Sequence, residues 1–368
     1  MRQQTSATTE TRIKGRTIID FTGKTLFVGI DVHQKDYQVA IVHEQLCLGN
    51  HRMGANAKKL IEHLLNRYSG ADFKCVYESS AWGFSLQRQL TAAGMECIVV
   101  NAADVATNDK ERKRKTDRVD ALKLARDHAS HNLKGIHIPD EEIQKERNLI
   151  RYRKRLVEDL NRSKNRLKSL LKYQGIDIPE NFGKTNWSKN FMSWVEAEAK
   201  KDPLLQDVML LMLGQIKLLR ALKLKVEKKL REMMNGDKYN QRAKLVSSVP
   251  GIGPVNAMLF MLEIGDIKRF KGFDPLNDFV GFCPDTDSSG ETQRDTGLTT
   301  RSHKQLRTAL IEAAWEAIRI DPALLECYKQ LTKRMPGNKA IIRIARKLLR
   351  RTRAVLISGI PYQKGVVA

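Results

Sequence analysis

From Lys24 to about His137, short apolar runs alternate with amphipathic stretches, and their order restricts the fold more than any other feature of the chain. Leu26–Ile30 and Tyr37–Val42 read as adjacent strands, LCLGNHRM as a third, Cys75–Glu78 as a fourth and Glu96–Val100 as a fifth. Runs this short, rich in β-branched residues and bounded by polar or glycine-containing segments, suit a sheet better than a helix. Helices are expected at about 57–68, 84–93 and 118–128. Three strands in succession, followed by strands alternating with helices, specify an α/β domain over residues 24–138.

The flanking sequence has a different texture. Residues 1–23 are polar and threonine-rich without an apolar stretch, so they read as a flexible tail and not as a signal peptide. Past Pro139 the pattern becomes helical. A first long helix spans about Glu141 to Gln174, closed by Gly175 where helices commonly stop. A second runs from about Leu204 to Met234, with Leu204, Val208, Leu211, Leu218, Leu222 and Val226 on one side. Residues 139–236 are thus expected to form a helical hairpin or coiled coil, although the same residues also suit an ordinary core face. The remainder, 237–368, reads as a mostly helical third domain with a loop-rich centre between Lys271 and His303.

Charge narrows the function. Sixty-five lysines and arginines against 42 aspartates and glutamates leave a net +23, which calls for a polyanionic partner. The first long helix carries eleven basic residues against three acids between Lys145 and Lys172, among them Arg151, Arg155, Arg162 and Arg166. The stretch Lys333–Arg353 carries nine basic residues and no acid, including Arg346 and Arg350. Either run fits contact with phosphates, or a solvated basic face. No apolar run approaches the roughly 20 residues needed to span a bilayer, so no membrane partner is expected. Five scattered cysteines without paired spacing fit thiols in a reducing compartment, and a cytoplasmic location is expected.

The chemistry is suggested by acids at the ends of elements. Asp31 closes the first strand in FVGIDVH, Glu78 closes the fourth in VYESS, and Asp117 and Asp120 lie at helical i, i+3 spacing in KTDRVDA. Each alone is more often a solvated or capping carboxylate. Together they can gather hard oxygen ligands at one sheet edge, as Mg²⁺ requires, and a two-ion site of that kind activates an attacking oxygen and stabilises a leaving one. Arg112, Lys113, Arg114 and Lys115 precede the last two acids and would hold a nucleic-acid backbone nearby, or form a basic loop.

Two further motifs lie in the third domain. SSVPGIGPVNA resembles a helix-hairpin-helix, in which the turn at Gly251 and Gly253 would offer backbone N–H groups to a phosphate. Ser288, Ser289 and Gly290 are expected in a polar loop, followed by Arg294, Arg301, Lys304 and Arg307. A serine among cations can attack a phosphodiester, although Ser-Ser-Gly is also common loop sequence.

Taken together, GIDVHQKDYQVAIV, VYESSAWG, KTDRVDALKLA, PGIGPVNA and SSG followed by LRTALIEAAW resemble the DEDD transposases of insertion sequence family one hundred and ten, which include Piv-type DNA invertases, over nearly the whole chain. The resemblance implies a RuvC-like, ribonuclease H-like domain, a coiled-coil insertion and a C-terminal transposase domain. It implies Asp31, Glu78, Asp117 and Asp120 as metal-binding acids and a serine nucleophile at Ser289, with Ser288 the alternative. It further implies donor and target DNA as substrates, a structured noncoding bridge RNA as guide, and a dimer or tetramer in which one protomer's serine serves another's acids. The chain departs from the family at Ser302-His303, where Gly-Asn is usual. Competing readings are a RuvC-like nuclease using water, and a non-catalytic architectural nucleic-acid-binding protein.

Overall fold

The structure, a computed structural model, describes residues 10–13, 16–105, 116–182, 187–289 and 292–364, with the backbone alone at 10–13, 16–19, 285–289 and 292–296. It divides into two compact units, Met1–Ile138 and Pro139–Ala368.

The first unit begins with a small hairpin, β1 (Glu10–Ile13) against β2 (Arg16–Ile19), where the sequence suggested only a loose tail. Thr11, Ile13, Thr17, Ile18 and Ile19 are β-branched and favour the extended backbone. Next come β3 (Thr25–Val32), β4 (Asp36–His43), β5 (Leu46–Gly54), α1 (Ala57–Arg67), β6 (Asp72–Glu78), α2 (Ser85–Ala92), β7 (Glu96–Val100) and α3 (Asp117–Ala129). The strands form one mixed sheet in the order β5-β4-β3-β6-β7, with β4 antiparallel to both neighbours and β6 and β7 parallel to the chain direction of β3. That order is consistent with a ribonuclease H-like fold.

Alternation along the central strands explains both faces of this sheet. Val28, Ile30, Val39, Ile41, Cys75, Tyr77 and Val99 pack with Leu60 and Leu64 of α1 and Leu86 and Leu90 of α2. The intervening Ala40, Val42, Val76 and Val100 face Ala121, Leu124 and Ala125 of α3. Fully burying a leucine such as Leu60 or Leu64 contributes about 2 kcal/mol. On the α3 side, Gly29 permits unusually close contact: a Cβ there would lie 2.1 Å from the Ala121 carbonyl oxygen and 2.5 Å from the Ala125 nitrogen.

The second unit contains α4 (Glu141–Tyr173), α5 (Lys189–Ala199), α6 (Pro203–Asn235), α7 (Asn240–Ser247), α8 (Pro254–Ile264), α9 (Phe273–Val280), β8 (Pro284–Ser289), β9 (Thr292–Leu298), α10 (Lys304–Ile320), α11 (Pro322–Thr332) and α12 (Gly337–Ser358). Helices α4 and α6 run antiparallel, as Arg153 with Glu227 at 2.8 Å and Ser163 with Gln215 at 3.2 Å establish. One end of the pair is filled by Phe191 and Val195 of α5 against Leu167, Leu171 and Leu213. At the other end Ile150, Leu156, Val226 and Leu230 enter the core built by α7, α8, α10 and α12. The stretch expected to be loop-rich holds α9 and the β8–β9 hairpin instead.

Candidate metal centre and its surroundings

Strand alternation aims two acidic side chains toward the α3 side of the first unit. Val28 and Ile30 belong to the opposite core, so Gly29 and Asp31 face α3. Ile30 pairs with Tyr77 on the parallel neighbour β6, so Glu78 follows beside Asp31 on the same face, one strand spacing of about 4.8 Å away. Both acids close their strands at the carboxyl end, where open α/β sheets place their sites. Helix α3 starts at Asp117, with Thr116 as its cap: the Thr116 hydroxyl accepts from the Val119 amide at 3.4 Å. Asp117 and Asp120 therefore occupy the first turn, where the helix's positive end favours anions.

Asp31 and Asp117 converge on His33, a residue the sequence reading did not single out. Its Nε2 lies 3.2 Å from an Asp31 carboxylate oxygen and 3.4 Å from one of Asp117. One ligand atom from each of the three falls within 4.8 Å of the others. Asp31 is the most enclosed, with a quarter of its side chain exposed. Its burial raises the carboxyl pKa above the ordinary range, His33 pulls it back, and Asp117 and Asp120 push it up again. Such a carboxylate is stabilised by a cation, and the two-carboxylate, one-imidazole donor set fits a divalent ion. Asp120 acts on Asp31 electrostatically and Glu78 lies on the adjoining strand, so all four predicted acids belong to this region. The signal for His33 was its spacing: two residues beyond Asp31, it lies on the same side of the strand line.

Two devices hold α3 against the sheet. The bare Gly29 admits the helix backbone, as described above. In addition Gln38, opposite Asp31 on β4, donates from its buried amide to Asn50 at 2.7 Å, and Asn50 donates to the Arg118 carbonyl at 2.9 Å. The chain of bonds ends one residue from Asp117.

In the second unit, α7 and α8 are joined by a turn in which Gly251 has φ +79°, and a Cβ there would meet the Ala313 carbonyl oxygen at 2.1 Å. Gly253 precedes Pro254 at the start of α8. Ser288 and Ser289 end strand β8, paired with Gln293 and Thr292, so they stand beside the hairpin turn and not in an irregular loop. Thr286 of β8 and Thr292 and Thr296 of β9 are β-branched and favour that extended form. Tyr239 of the same unit is buried with its hydroxyl donated to Glu146, and burial raises its pKa to about 12, so it is no accessible nucleophile.

The predicted nucleic-acid contacts meet different fates. Arg112, Lys113, Arg114 and Lys115 lie outside the described residues, as does the Arg294 side chain. Arg155, Arg166 and Lys304 are exposed, Arg301 is exposed at the foot of β9, and Arg162 pairs with Asp159 on the surface. Arg346 and Arg350 sit over the Phe273 ring at 5.5 and 4.5 Å. Arg151 instead grips buried Glu263 with two bonds of 2.7 and 2.8 Å. Arg307 donates to the Gly281 and Thr299 carbonyls at 3.1 and 2.8 Å, tying the two feet of the serine hairpin. His303 caps α10 by accepting from the Leu306 amide and approaches Glu263 at 3.3 Å. Among the described residues no helix is long and apolar enough to cross a membrane.

Residues 28–174 match the IS110-type DEDD transposase family, and residues 243–329 match the family described as Transposase IS116/IS110/IS902. The chain is 27% identical over 307 residues to protein y4qE of Sinorhizobium fredii, covering 82% of this chain and 73% of that one. It is 26% identical over 308 residues to the transposase for insertion sequence element IS1533 of Leptospira borgpetersenii, covering 80% and 85%. A pilin gene-inverting protein of Moraxella bovis is 28% identical over 133 residues, 34% of this chain and 40% of that one.

Proposed function

Because the chain belongs to the IS110-family DEDD transposases, we propose that it cuts and rejoins donor and target DNA, with Ser289 as nucleophile and the acid cluster as its metal centre. The observation that carries this reading is the meeting of Asp31, His33 and Asp117 at the carboxyl edge of the sheet, with Glu78 and Asp120 alongside. A divalent ion held there, Mg²⁺ or a similar one, would supply charge stabilisation for phosphoryl transfer.

In the proposed reaction the Ser289 oxygen bonds to phosphorus as one sugar oxygen leaves, taking up a proton to become a free hydroxyl. A hydroxyl of the second DNA then attacks the phosphoserine, restoring a phosphodiester and returning the serine. Number of bonds and charge are conserved, so no external energy source is required.

Arg155, Arg166 and Lys304, with Arg162, Arg301, Arg346 and Arg350, supply cations for phosphate backbones, and the Gly251–Gly253 turn before α8 resembles a helix-hairpin-helix phosphate site. The net +23 is in keeping with a structured guide RNA in addition to DNA. Leu204, Val208, Leu211 and Leu218 are exposed on α6 at spacings of four, three and seven residues, which keeps them on one face and supports assembly of two or more copies through this helix.

The test uses the full chain with the RNA that copurifies with it and labelled DNA carrying the element's ends. The intact protein should form an adduct that survives denaturation. Ser289→Ala should bind DNA normally yet form neither adduct nor recombinant, and Asp31→Asn should behave likewise. Normal recombination by Ser289→Ala would sink the serine reading; hydrolysed ends without adduct would favour a water-using nuclease.

A further inference from the structure

His33 enters the acid cluster by its ring nitrogen, and its position has a bearing on which ion the site takes. The four predicted acids are hard oxygen donors, a set suited to Mg²⁺. The imidazole changes that chemistry. In octahedral coordination with bonds of about 2.1 Å, neighbouring ligand atoms stand roughly 3 Å apart. The separations of 3.2 Å from Nε2 to Asp31 and 3.4 Å from Nε2 to Asp117 are close to that spacing before any ion is considered. The backbone of His33 is fixed as well: its amide donates to the Asp36 carbonyl at 3.0 Å in the β3–β4 turn. The Nε2 atom itself is shielded from solvent, while 46% of the Asp117 side chain is exposed, so water or phosphate oxygens would complete the shell from the Asp117 side.

We propose that His33 is a direct ligand, through Nε2, of the divalent ion held by Asp31 and Asp117, and that it biases the site toward nitrogen-accepting ions over Mg²⁺. The proposal rests on the reading of this cluster as a metal centre. The competing role is that of a stand-in cation: a protonated imidazole that neutralises the two carboxylates and leaves when an ion arrives. The two roles differ in where Nε2 lies once the ion is bound. As ligand the ring carries its proton on Nδ1 and turns Nε2 to the metal. Imidazole prefers Co²⁺ and Zn²⁺ to Mg²⁺, so removing it should compress the difference in affinity between the two classes.

The experiment takes the full chain freed of nucleic acid and loads it with Mn²⁺ at substoichiometric level. Pulsed electron paramagnetic resonance should reveal nitrogen coupled to the Mn²⁺ spin, and the coupling should vanish in His33→Ala and His33→Asp. Calorimetric titration should show Co²⁺ binding weakened about 10-fold or more in His33→Asp, the order of loss typical when a metal's ligand environment is disturbed, with Mg²⁺ binding retained or tightened. Asp31→Asn separates the two levels of the claim. If it abolishes Mn²⁺ binding but the unaltered protein shows no nitrogen coupling, the metal centre stands and His33 is not its ligand. If Mn²⁺ binding is indifferent to Asp31→Asn, the ion resides elsewhere, and both the metal centre and the proposal fall.

Discussion

Replacing Gly29 with alanine tests whether the β3–α3 contact sets the geometry of the acids. The added Cβ would lie 2.1 Å from the Ala121 oxygen and 2.5 Å from the Ala125 nitrogen, both backbone atoms that cannot rotate away. Relieving the contact requires α3 to withdraw by about 1 Å, and a displacement of that size in a catalytic group typically lowers rate about 100-fold. Overpacking of this kind also destabilises by about 1–3 kcal/mol, so stability and geometry must be read separately. Gly54→Ala serves as control: nothing lies within 4 Å of a Cβ there, and its backbone is not left-handed. Chemical denaturation, Mn²⁺ affinity and single-turnover DNA cleavage would be compared for both variants. We expect Gly54→Ala to be neutral, and Gly29→Ala to lose metal affinity and cleavage beyond its loss of stability. A Gly29→Ala protein that is less stable but binds Mn²⁺ and cleaves at the original rate would refute the argument that this contact positions Asp117.

Further expectations concern the same unit and the second core. Asn50→Ala breaks the link from Gln38 to the start of α3 and leaves a buried amide without its partner, for a loss of about 1–3 kcal/mol; calorimetry should find it, together with weaker Mn²⁺ binding and an unchanged circular dichroism spectrum. Because burial raises the Asp31 pKa, metal affinity should increase with pH over a range lying above the usual 3.8. For the metal-free protein the sign is opposite: the folded state holds the proton longer, so stability falls as pH climbs through the raised pKa, and either saturating Mn²⁺ or Asp31→Asn should flatten that slope. Glu263 is 2% exposed; burial alone would raise its pKa, but Arg151 and His303 prevail and lower it from 4.5 to about 2. Its stabilisation, roughly 3 kcal/mol, is present above pH about 4.5 and disappears toward pH 2, so Glu263→Gln should lower Tm at neutral pH and show a shallower acid limb.

The sheet and its acids were legible because each depends on local pattern. Five runs of period two or of continuous apolar residues define β3 to β7, and the acids at the ends of β3 and β6 follow from where those runs stop. Asp117 and Asp120 follow from the helix start. His33 was within reach of the same alternation, yet a histidine in a turn has no character of its own until its neighbours across the fold are known. Gly29 and Asn50 are harder still. The Asn50 bond to Arg118 spans 68 residues, and the value of Gly29 lies in a backbone 92 positions farther on in the chain at Ala121. Misplaced readings have a common cause. Serine, aspartate and glycine at 285–290 have turn preferences, and these concealed β8, whose pairing with β9 is a non-local gain. Arg151 and Arg307 were read as phosphate ligands from charge alone, which says nothing of a buried carboxylate 112 residues away or of carbonyls waiting at Gly281 and Thr299.

The last turn of α8 is gripped by arginines from three directions: Arg147 donates to the Leu262 and Glu263 carbonyls, Arg269 to that of Ile264 and Arg242 to that of Gly265. These cations work as internal fasteners, closing off oxygen atoms that a helix end leaves unsatisfied. Anyone reshaping the electrostatics of this protein, to curb clumping or unwanted adhesion to nucleic acids during handling, should therefore leave these guanidinium groups alone and neutralise outward-facing lysines first.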